Sequence, residues 1–493
     1  MSIKNKEWVD MEDINNEENI ETLNDEENKV KQKIKKIPKL YEHSNTQIGP
    51  KTPQIIVNIF NTEYEIIQKV MEKNFKYLVT EDEFSEFDLC WADTALSTEK
   101  YIALKTYQKI NHFPGMSCIA RKNNLGRNLM RLQKLFPDDY NFFPQTWLLP
   151  IDFLEFKNQF NKNKNKTFIL KPEAMSQGKG IFLVKNHENI DPNIHYVAQR
   201  YINKPYLIEG LKFDLRVYVL VYGCDPLRIF IYKEGLARLA TEQYSLPQVS
   251  NLDNLYIHLT NYAINKNSSN FIFNNDENRT DIGHKRSLSF VWKYIQEKGG
   301  DINSIQNKIK DAIIKTLCAV QPILSDANKT SLPYDYGNEQ TFEILGFDVL
   351  LDHKLKPWIL EVNHSPSFTT DTPFDVKIKS ELISDVVRLL NLKYVKRKNY
   401  YIRQRKMQKQ RMEGKKNEKI TKEMKMKIRD DNMIKRDKFE DSHLGGFTRI
   451  FPCEGYEKFL QAATTLWEDF FGGKKNHFPK QIKPIEKRMN FSL

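Results

Sequence analysis

Asp348, Glu361 and Asn363 are the residues of this 493-residue chain whose types and spacing most directly suggest chemistry. They lie in FEILGFDVLLDHKLKPWILEVNHSPSF, Phe342 to Phe368. Two apolar runs rich in branched and aromatic residues flank HKLK and Pro357, which predicts a β-hairpin. With the turn at His353 to Lys356, Asp352 faces Pro357 and Asp348 faces Glu361. Asn363 then shares the Glu361 face, opposite Gly346, which has no side chain to crowd the spot. Opposed side chains have Cβ atoms roughly 5 Å apart, and two carboxylates there repel. A divalent cation relieves that repulsion, and oxygen-only donors favour a hard ion, Mg²⁺ first. A protonated carboxyl, or one paired with a lysine, relieves it too.

Two further stretches carry charge where strands should be apolar. KTFILKPEAMSQGKGIFLV places Lys171 at a strand end, before a loop with Ser176, Gln177, Gly178, Lys179 and Gly180. Such a loop can cover phosphates with backbone N–H groups. It is not a Walker motif, because a strand follows it and GxxxxGK[ST] is missing. In HYVAQRYINKPYLIEGLKFDLRVYVLV, two strands flank a Pro/Gly loop. Gln199 to Ile202 end the first with open backbone, as an adenine edge requires. Lys212, Asp214 and Arg216 alternate on one face of the second. Charged groups are rarely buried unless paired or bound to something charged, so a ligand and an internal Asp–Arg pair both fit.

The elements that must position these residues follow from pattern. PQIIVNIF and FDLCWADTALS read as strands, and a helix ends before Pro137. LRIFIYKEGLARLA reads as strand, turn and strand, with Arg238 near a strand end, and IHLTNYAINK is turn-rich. Helices are expected from about Arg286 to Leu324 and over DVKIKSELISDVVRLLNL. This predicts a leader at 1–50, an N-terminal α/β domain at 52–165 and two core subdomains at 166–258 and 259–395. A basic segment at 396–445 and an aromatic module at 446–493 complete the chain.

Hydrophobic content of 40% and 12% aromatics exclude wholesale disorder. No apolar run is long enough to span a bilayer, and the charged N-terminus does not resemble a signal peptide. Five scattered cysteines without a CxxC pair fit a reducing, cytoplasmic compartment. Between Lys396 and Lys438 there are 18 Lys/Arg against 6 Asp/Glu, which accounts for the whole net charge of +12. A polyanionic partner is expected there. The segment has no aromatics beyond Tyr400 and Tyr401, which disfavours single-stranded nucleic acid. Its Ile420, Met424 and Ile428 share a helical face. The leader holds ten acidic and no basic residues from Glu7 to Asn28, as a solvated tail or a self-inhibitory mimic of an acidic ligand would.

The order KPEAMSQGKGIF, AQRYINKPYLIEGLKFDLRVYVLV, LARLA, HLTNYAINK and FEILGFDVLLDHKLKPWILEVNHSPSF resembles the tubulin tyrosine ligase-like family of ATP-grasp ligases, its polyglutamylases above all. The resemblance covers about residues 75 to 395. It implies an α/β (α+β) fold, with an ATP-grasp core of mixed sheets, flanking helices and a basic helical extension. It further implies that Lys171 and Lys179 bind ATP phosphates beneath Gln177 and Gly178. Gln199, Arg200, Tyr201 and Ile202 would hold adenine, while Lys212, Phe213, Asp214, Thr260 and Asn261 touch the nucleotide. Asp348, Glu361 and Asn363 would ligate Mg²⁺ and, with Arg216, serve catalysis. Arg238, Tyr262, Lys285 and Lys379 would bind free L-glutamate, and Gln177 and His364 would approach the acceptor protein. Ala263 stands where close relatives carry Ser, which weakens the inference about the amino acid.

The implied reaction is ATP-dependent ligation of glutamate to side-chain carboxylates of acidic tubulin tails, through an acyl phosphate. No nucleophilic Cys or Ser is required. Three cations at the amino-acid site fit a dicarboxylate better than glycine. A glycine ligase and a non-catalytic microtubule-binding protein on the same fold are the alternatives. The implied partners are microtubules and free glutamate, with no nucleic acid or membrane and a monomeric state. The implied address is the cytoskeleton, with the ciliary axoneme or basal body as candidates.

Overall fold

The structure, a computed structural model, describes residues 54–470 apart from 163–165, 174, 176, 189 and 415–420. The expected acidic leader, Ser176 and Ile420 lie outside the described residues.

Three sheets are formed. The first is parallel, in the order β2-β1-β3-β4, from β1 (Ile56–Asn61), β2 (Leu78–Thr80), β3 (Leu89–Ala92) and β4 (Lys109–Ile110). The second is antiparallel, in the order β5-β8-β6-β7, from β5 (Thr146–Leu149), β6 (Phe168–Pro172), β7 (Phe182–Val184) and β8 (Tyr196–Arg200). The third has seven strands: β9 (Leu207–Ile208), β10 (Leu211–Cys224), β11 (Leu227–Gln243), β12 (Lys285–Ser287), β13 (Glu343–Leu351), β14 (Pro357–Asn363) and β15 (Phe447–Phe451). Its main path is β12-β11-β10-β13-β14, with β9 added to β10 and β15 to β11. The fold is mixed α/β, as expected.

Strand β10 shows how sequence pattern makes the site. Phe213, Leu215, Val217, Val219 and Val221 point into one core, packed with Ile305, Ile309, Ile313 and Leu317 of helix Ile302–Cys318. On the opposite face Tyr218, Leu220 and Tyr222 enter a second core with helices Glu65–Phe75 and Pro373–Leu389. Lys212, Asp214 and Arg216 continue that second face toward the start of the strand. The apolar core therefore gives way to a charged cleft along one strand face.

Three expectations need correction. No turn occurs at Lys233–Gly235; β11 runs unbroken through it, with a register shift against β10 between Val217/Gly235 and Val219/Ile231. A bulge there absorbs the turn-like residues while pairing continues. Arg286 lies in β12, and helix begins at Leu288, where the Ser287 hydroxyl accepts from Phe290 N at 3.0 Å. The β13–β14 connection is longer than the four-residue turn, since Leu351, not Asp352, pairs with Pro357.

The basic segment forms helices Tyr394–Met412 and Lys422–Ser442, and part of its charge is used internally. Arg397 is buried and donates to Asp88 at 2.8 Å and to Gln54 O at 2.7 Å. Arg436 binds Glu440 at 2.6 Å and the Tyr222 and Asn338 carbonyls. Glu440 is itself buried and also pairs with the buried Arg228. Met424 is half exposed, so it provides no buried apolar seam.

Candidate active site

A cleft opens between the second and third sheets. Its walls include Lys171 from β6, Gln199 and Arg200 from β8, Lys212 and Asp214 from β10, and Arg238 from β11. Tyr201, Ile202, Thr260 and Asn261 come from connecting segments, and Asp348 and Glu361 from the hairpin. Residues distant in sequence but singled out by type thus converge on one cleft.

Asp348 pairs with Glu361 and Gly346 with Asn363 across the hairpin. The alignment survives the longer connection because one extra residue, Leu360, bulges from β14. That bulge also turns the Leu360 carbonyl toward Lys171 Nζ, 3.5 Å away. Gly346 is needed as glycine. A Cβ there would lie 2.9 Å from Arg216 Cδ, in the path Arg216 takes to Asp348.

The two carboxyls differ in environment. Burial raises Asp348, but the Arg216 and Arg238 guanidiniums outweigh it and hold the group below the usual carboxylate range. Arg216 Nε is 2.5 Å from Oδ1 and Arg238 is 2.7 Å from Oδ2. Glu361 is pushed up, by burial first and then by Asp348 beside it. Asn363 Nδ2 donates to Glu361 Oε1 at 3.2 Å and to Asp348 Oδ2 at 3.4 Å. The amide can turn to present its oxygen instead. Two carboxyls and one amide, linked by a hydrogen bond and an N–H donor, fit a hard cation as donor set. Among the described residues no group of three His, Cys, Asp or Glu side chains is placed to hold a metal.

The lysines are short of negative charge. Lys171 is pulled down to about 8 by burial, which outweighs the attraction of Glu361 and Asp348, with Lys122 adding repulsion, and it donates to Gln199 Oε1 at 2.9 Å. Lys212 is pulled down to about 7 by burial despite Asp214, and bonds Tyr201 Oη at 2.9 Å and the His258 carbonyl at 2.6 Å. Among the described residues neither buried ammonium group has a carboxylate within ion-pair distance, and a polyphosphate would supply that charge.

The remaining residues fall around this centre. Gln177 and Gly178 have φ of 60° and 82°, and a Cβ on Gly178 would come 3.1 Å from Asn261 Cγ, so the loop lies against that side chain. Lys179 is exposed on the same loop. Open backbone at 199–202 is only partial, because Arg200 N donates to Gln145 O and Tyr201 N to Thr167 O. Phe213 is not in the cleft; its side chain faces the opposite core. The expected Asp–Arg pair within the β10 stripe does not form: Asp214 is bound by Arg238 of β11 through Nε at 2.9 Å, and Arg216 is bound to Asp348 of β13. Tyr262, Lys285 and Lys379 gather around Asp375. His364 lies in a separate small cavity with His112, Asp93, Trp91 and Phe368. Sequence reasoning missed His258, which lines the cleft, and Asp375; HLTNY and the Thr372-x-x-Asp375 cap were the available signals.

The family model described as the tubulin-tyrosine ligase family matches residues 95–400. The chain belongs to the tubulin-tyrosine ligase family. It is 48% identical over 442 residues to a Tetrahymena thermophila protein named "Probable beta-tubulin polyglutamylase", covering 88% of this chain and 37% of that one. To "Tubulin polyglutamylase ttll6" of Danio rerio it is 43% identical over 422 residues, covering 85% and 53%. To "Tubulin polyglutamylase TTLL6" of Homo sapiens it is 42% identical over 439 residues, covering 87% and 48%. The chain thus spans between about a third and about a half of the length of these relatives. The match to the family model takes in every cleft residue named above.

Proposed function

We propose that this chain is an ATP-dependent tubulin polyglutamylase, joining the amino group of free L-glutamate to glutamate side-chain carboxylates in acidic tubulin tails. The observation that carries the chemistry is the pairing of two charge-starved lysines, Lys171 and Lys212, with the opposed Asp348 and Glu361. The names of the relatives support tubulin as acceptor and glutamate as the added residue.

A carboxylate does not acylate an amine at neutral pH without activation. In the proposed sequence an acceptor carboxylate oxygen attacks the γ-phosphorus of ATP and ADP leaves. The α-amine of glutamate then attacks the acyl carbon, loses a proton, and phosphate departs with its C–O bonding pair. Lys171 and Lys212 bind and orient the polyphosphate, and the Gln177–Gly180 loop covers it. Asp348, Glu361 and Asn363 would hold magnesium, which when bound would supply positive charge toward the phosphates. Arg216 keeps Asp348 ionised and in place. Arg238, Lys285 and Lys379 line the pocket that receives the glutamate carboxylates beside Tyr262, and His364 faces the acceptor side. The exposed basic helices attract acidic tails at long range, and the cytoskeleton is the expected address.

Incubating the chain with ATP, Mg²⁺, microtubules and each labelled amino acid in turn tests this reading. Glutamate alone should enter tubulin, only with ATP. Incorporation of glycine or tyrosine instead would overturn it.

A further inference from the structure

Lys285 and Lys379 stand on either side of one buried carboxylate, and they are not equivalent. Asp375 is fully buried in the first turn of helix Pro373–Leu389, where its backbone N–H donates to the Thr372 hydroxyl at 3.2 Å. Lys285 Nζ, from β12, lies 2.9 and 3.2 Å from the two Asp375 oxygens and 3.7 Å from the Tyr262 ring centre. Lys379, one turn beyond Asp375, is 3.9 Å from Oδ1 and donates instead to the Thr369 carbonyl. Lys285 is therefore hydrogen-bonded to the Asp375 carboxylate through both oxygens, whereas Lys379 reaches it only at 3.9 Å, an ion pair without a hydrogen bond. The charged groups facing Lys379 are Asp375 on its own helix, Lys285 on β12, Arg216 on β10 and Asp371 in the preceding loop. Burial, offset only in part by Asp375, brings Lys379 down to about 8.

We propose that Asp375 is a positioning residue that divides the work of the two lysines: it commits Lys285 and leaves Lys379 to read the side-chain carboxylate of the incoming amino acid. The proposal rests on the reading of this pocket as the glutamate site. A buried ammonium whose nearest carboxylate is hydrogen-bonded by another lysine favours a ligand that brings a second anion. An amino acid with an uncharged side chain leaves it unpaired, so discrimination arises from a missing charge rather than from shape. A consequence is proton linkage. With burial holding it down at about 8, Lys379 gives up its proton more readily than an ordinary lysine as pH rises, and an arriving carboxylate restores that proton. Glutamate binding should then take up about half a proton at pH 8 and close to none at pH 6.

Calorimetric titration of the full chain, with a non-hydrolysable ATP analogue and Mg²⁺, in buffers of different ionisation enthalpy measures this directly. L-Glutamate is compared with L-glutamine, which shares the α-ammonium and α-carboxylate. The expected result is an excess uptake for glutamate of about half a proton at pH 8 that vanishes at pH 6. Equal proton uptake by the two ligands at pH 8 would overturn the proposal. Asp375→Asn removes the nearest anion and lowers Lys379 further, so glutamate affinity should fall severalfold more at pH 8 than at pH 6. An equal loss at both pH values would make Asp375 merely structural. Lys379→Met should abolish the uptake and Lys285→Met retain it; the reverse assignment overturns the division. Binding of neither amino acid would sink the glutamate reading of the pocket, and this proposal with it. Glutamate binding without uptake sinks this proposal alone.

Discussion

Arg216 on β10 lies directly opposite Asp348 on β13 and donates to it twice, at 2.5 and 3.2 Å. The contact fixes one half of the carboxyl pair as an anion, and Glu361 answers by holding its proton more tightly. The pair is thus built with unequal members, and a bound cation would draw the second proton off.

Glu361→Gln keeps shape and removes the titratable oxygen. Ligation should fall by about 100-fold or more, with melting temperature and microtubule binding nearly unchanged. Activity close to wild type would remove the hairpin from the mechanism.

Arg238 makes a less clean probe of the amino-acid site. It contacts Asp348 and Asp214 and lines the cleft beside the buried lysines. Arg238→Ala should lower kcat and raise the KM for ATP as well as for glutamate, because it also unseats a metal-side carboxylate. A selective rise in the glutamate KM would show that Asp348 does not depend on it.

How much of this was legible in the sequence depends on the residue. The Asp348–Glu361 pairing was inferred from a count in which two errors cancel. The connection is one residue longer than the turn composition suggests, and the Leu360 bulge restores the register. A bulge leaves no mark in composition; it is set by what the strand packs against. The alternation of Lys212, Asp214 and Arg216 was legible because period two is fixed by strand geometry. The Lys-Glu-Gly at 233–235 was misread because turn-like residues also suit a bulge in a strand paired on both sides. Phe213 sits next to two cleft residues in sequence, yet the same alternation sends its side chain to the opposite core.

The basic helices carry two kinds of cation. Lys398, Arg403, Arg405, Lys406, Lys409 and Arg411 are exposed, whereas Arg397 and Arg436 are tied into the body. Replacing the exposed six by Gln should weaken microtubule binding, flatten its salt dependence and raise the microtubule KM, with little effect on a short tail peptide. Arg397→Gln should instead cost about 3–5 kcal/mol of stability, since it leaves the buried Asp88 carboxylate without its cation and with the Ile56 N–H as its remaining donor. Denaturation and cosedimentation separate the two. Equal loss of activity on both substrates would place the exposed cations in the catalytic fold.

His112 provides a pH test of the framework around His364. Burial lowers His112, but the Glu343 carboxylate 2.8 Å away and the Ala92 carbonyl raise it above the ordinary histidine value. Its contribution to stability should be complete below about pH 6.5 and lost as pH rises through the raised value. Wild type should therefore lose more stability than His112→Gln between about pH 6.5 and 8.5, measured by urea denaturation. Parallel curves would show that the pair is not charged in the folded state.

The most direct measurement of the central claim follows an oxygen atom. An acidic tail peptide and free glutamate, both carrying ¹⁸O in all their carboxylates, are incubated with the chain, ATP and Mg²⁺, and the released phosphate is weighed by mass spectrometry. Activation of the acceptor carboxylate by phosphoryl transfer predicts one ¹⁸O in phosphate for every glutamate joined. Glutamate joined with unlabelled phosphate, or phosphate labelled without any glutamate joined, would contradict the account.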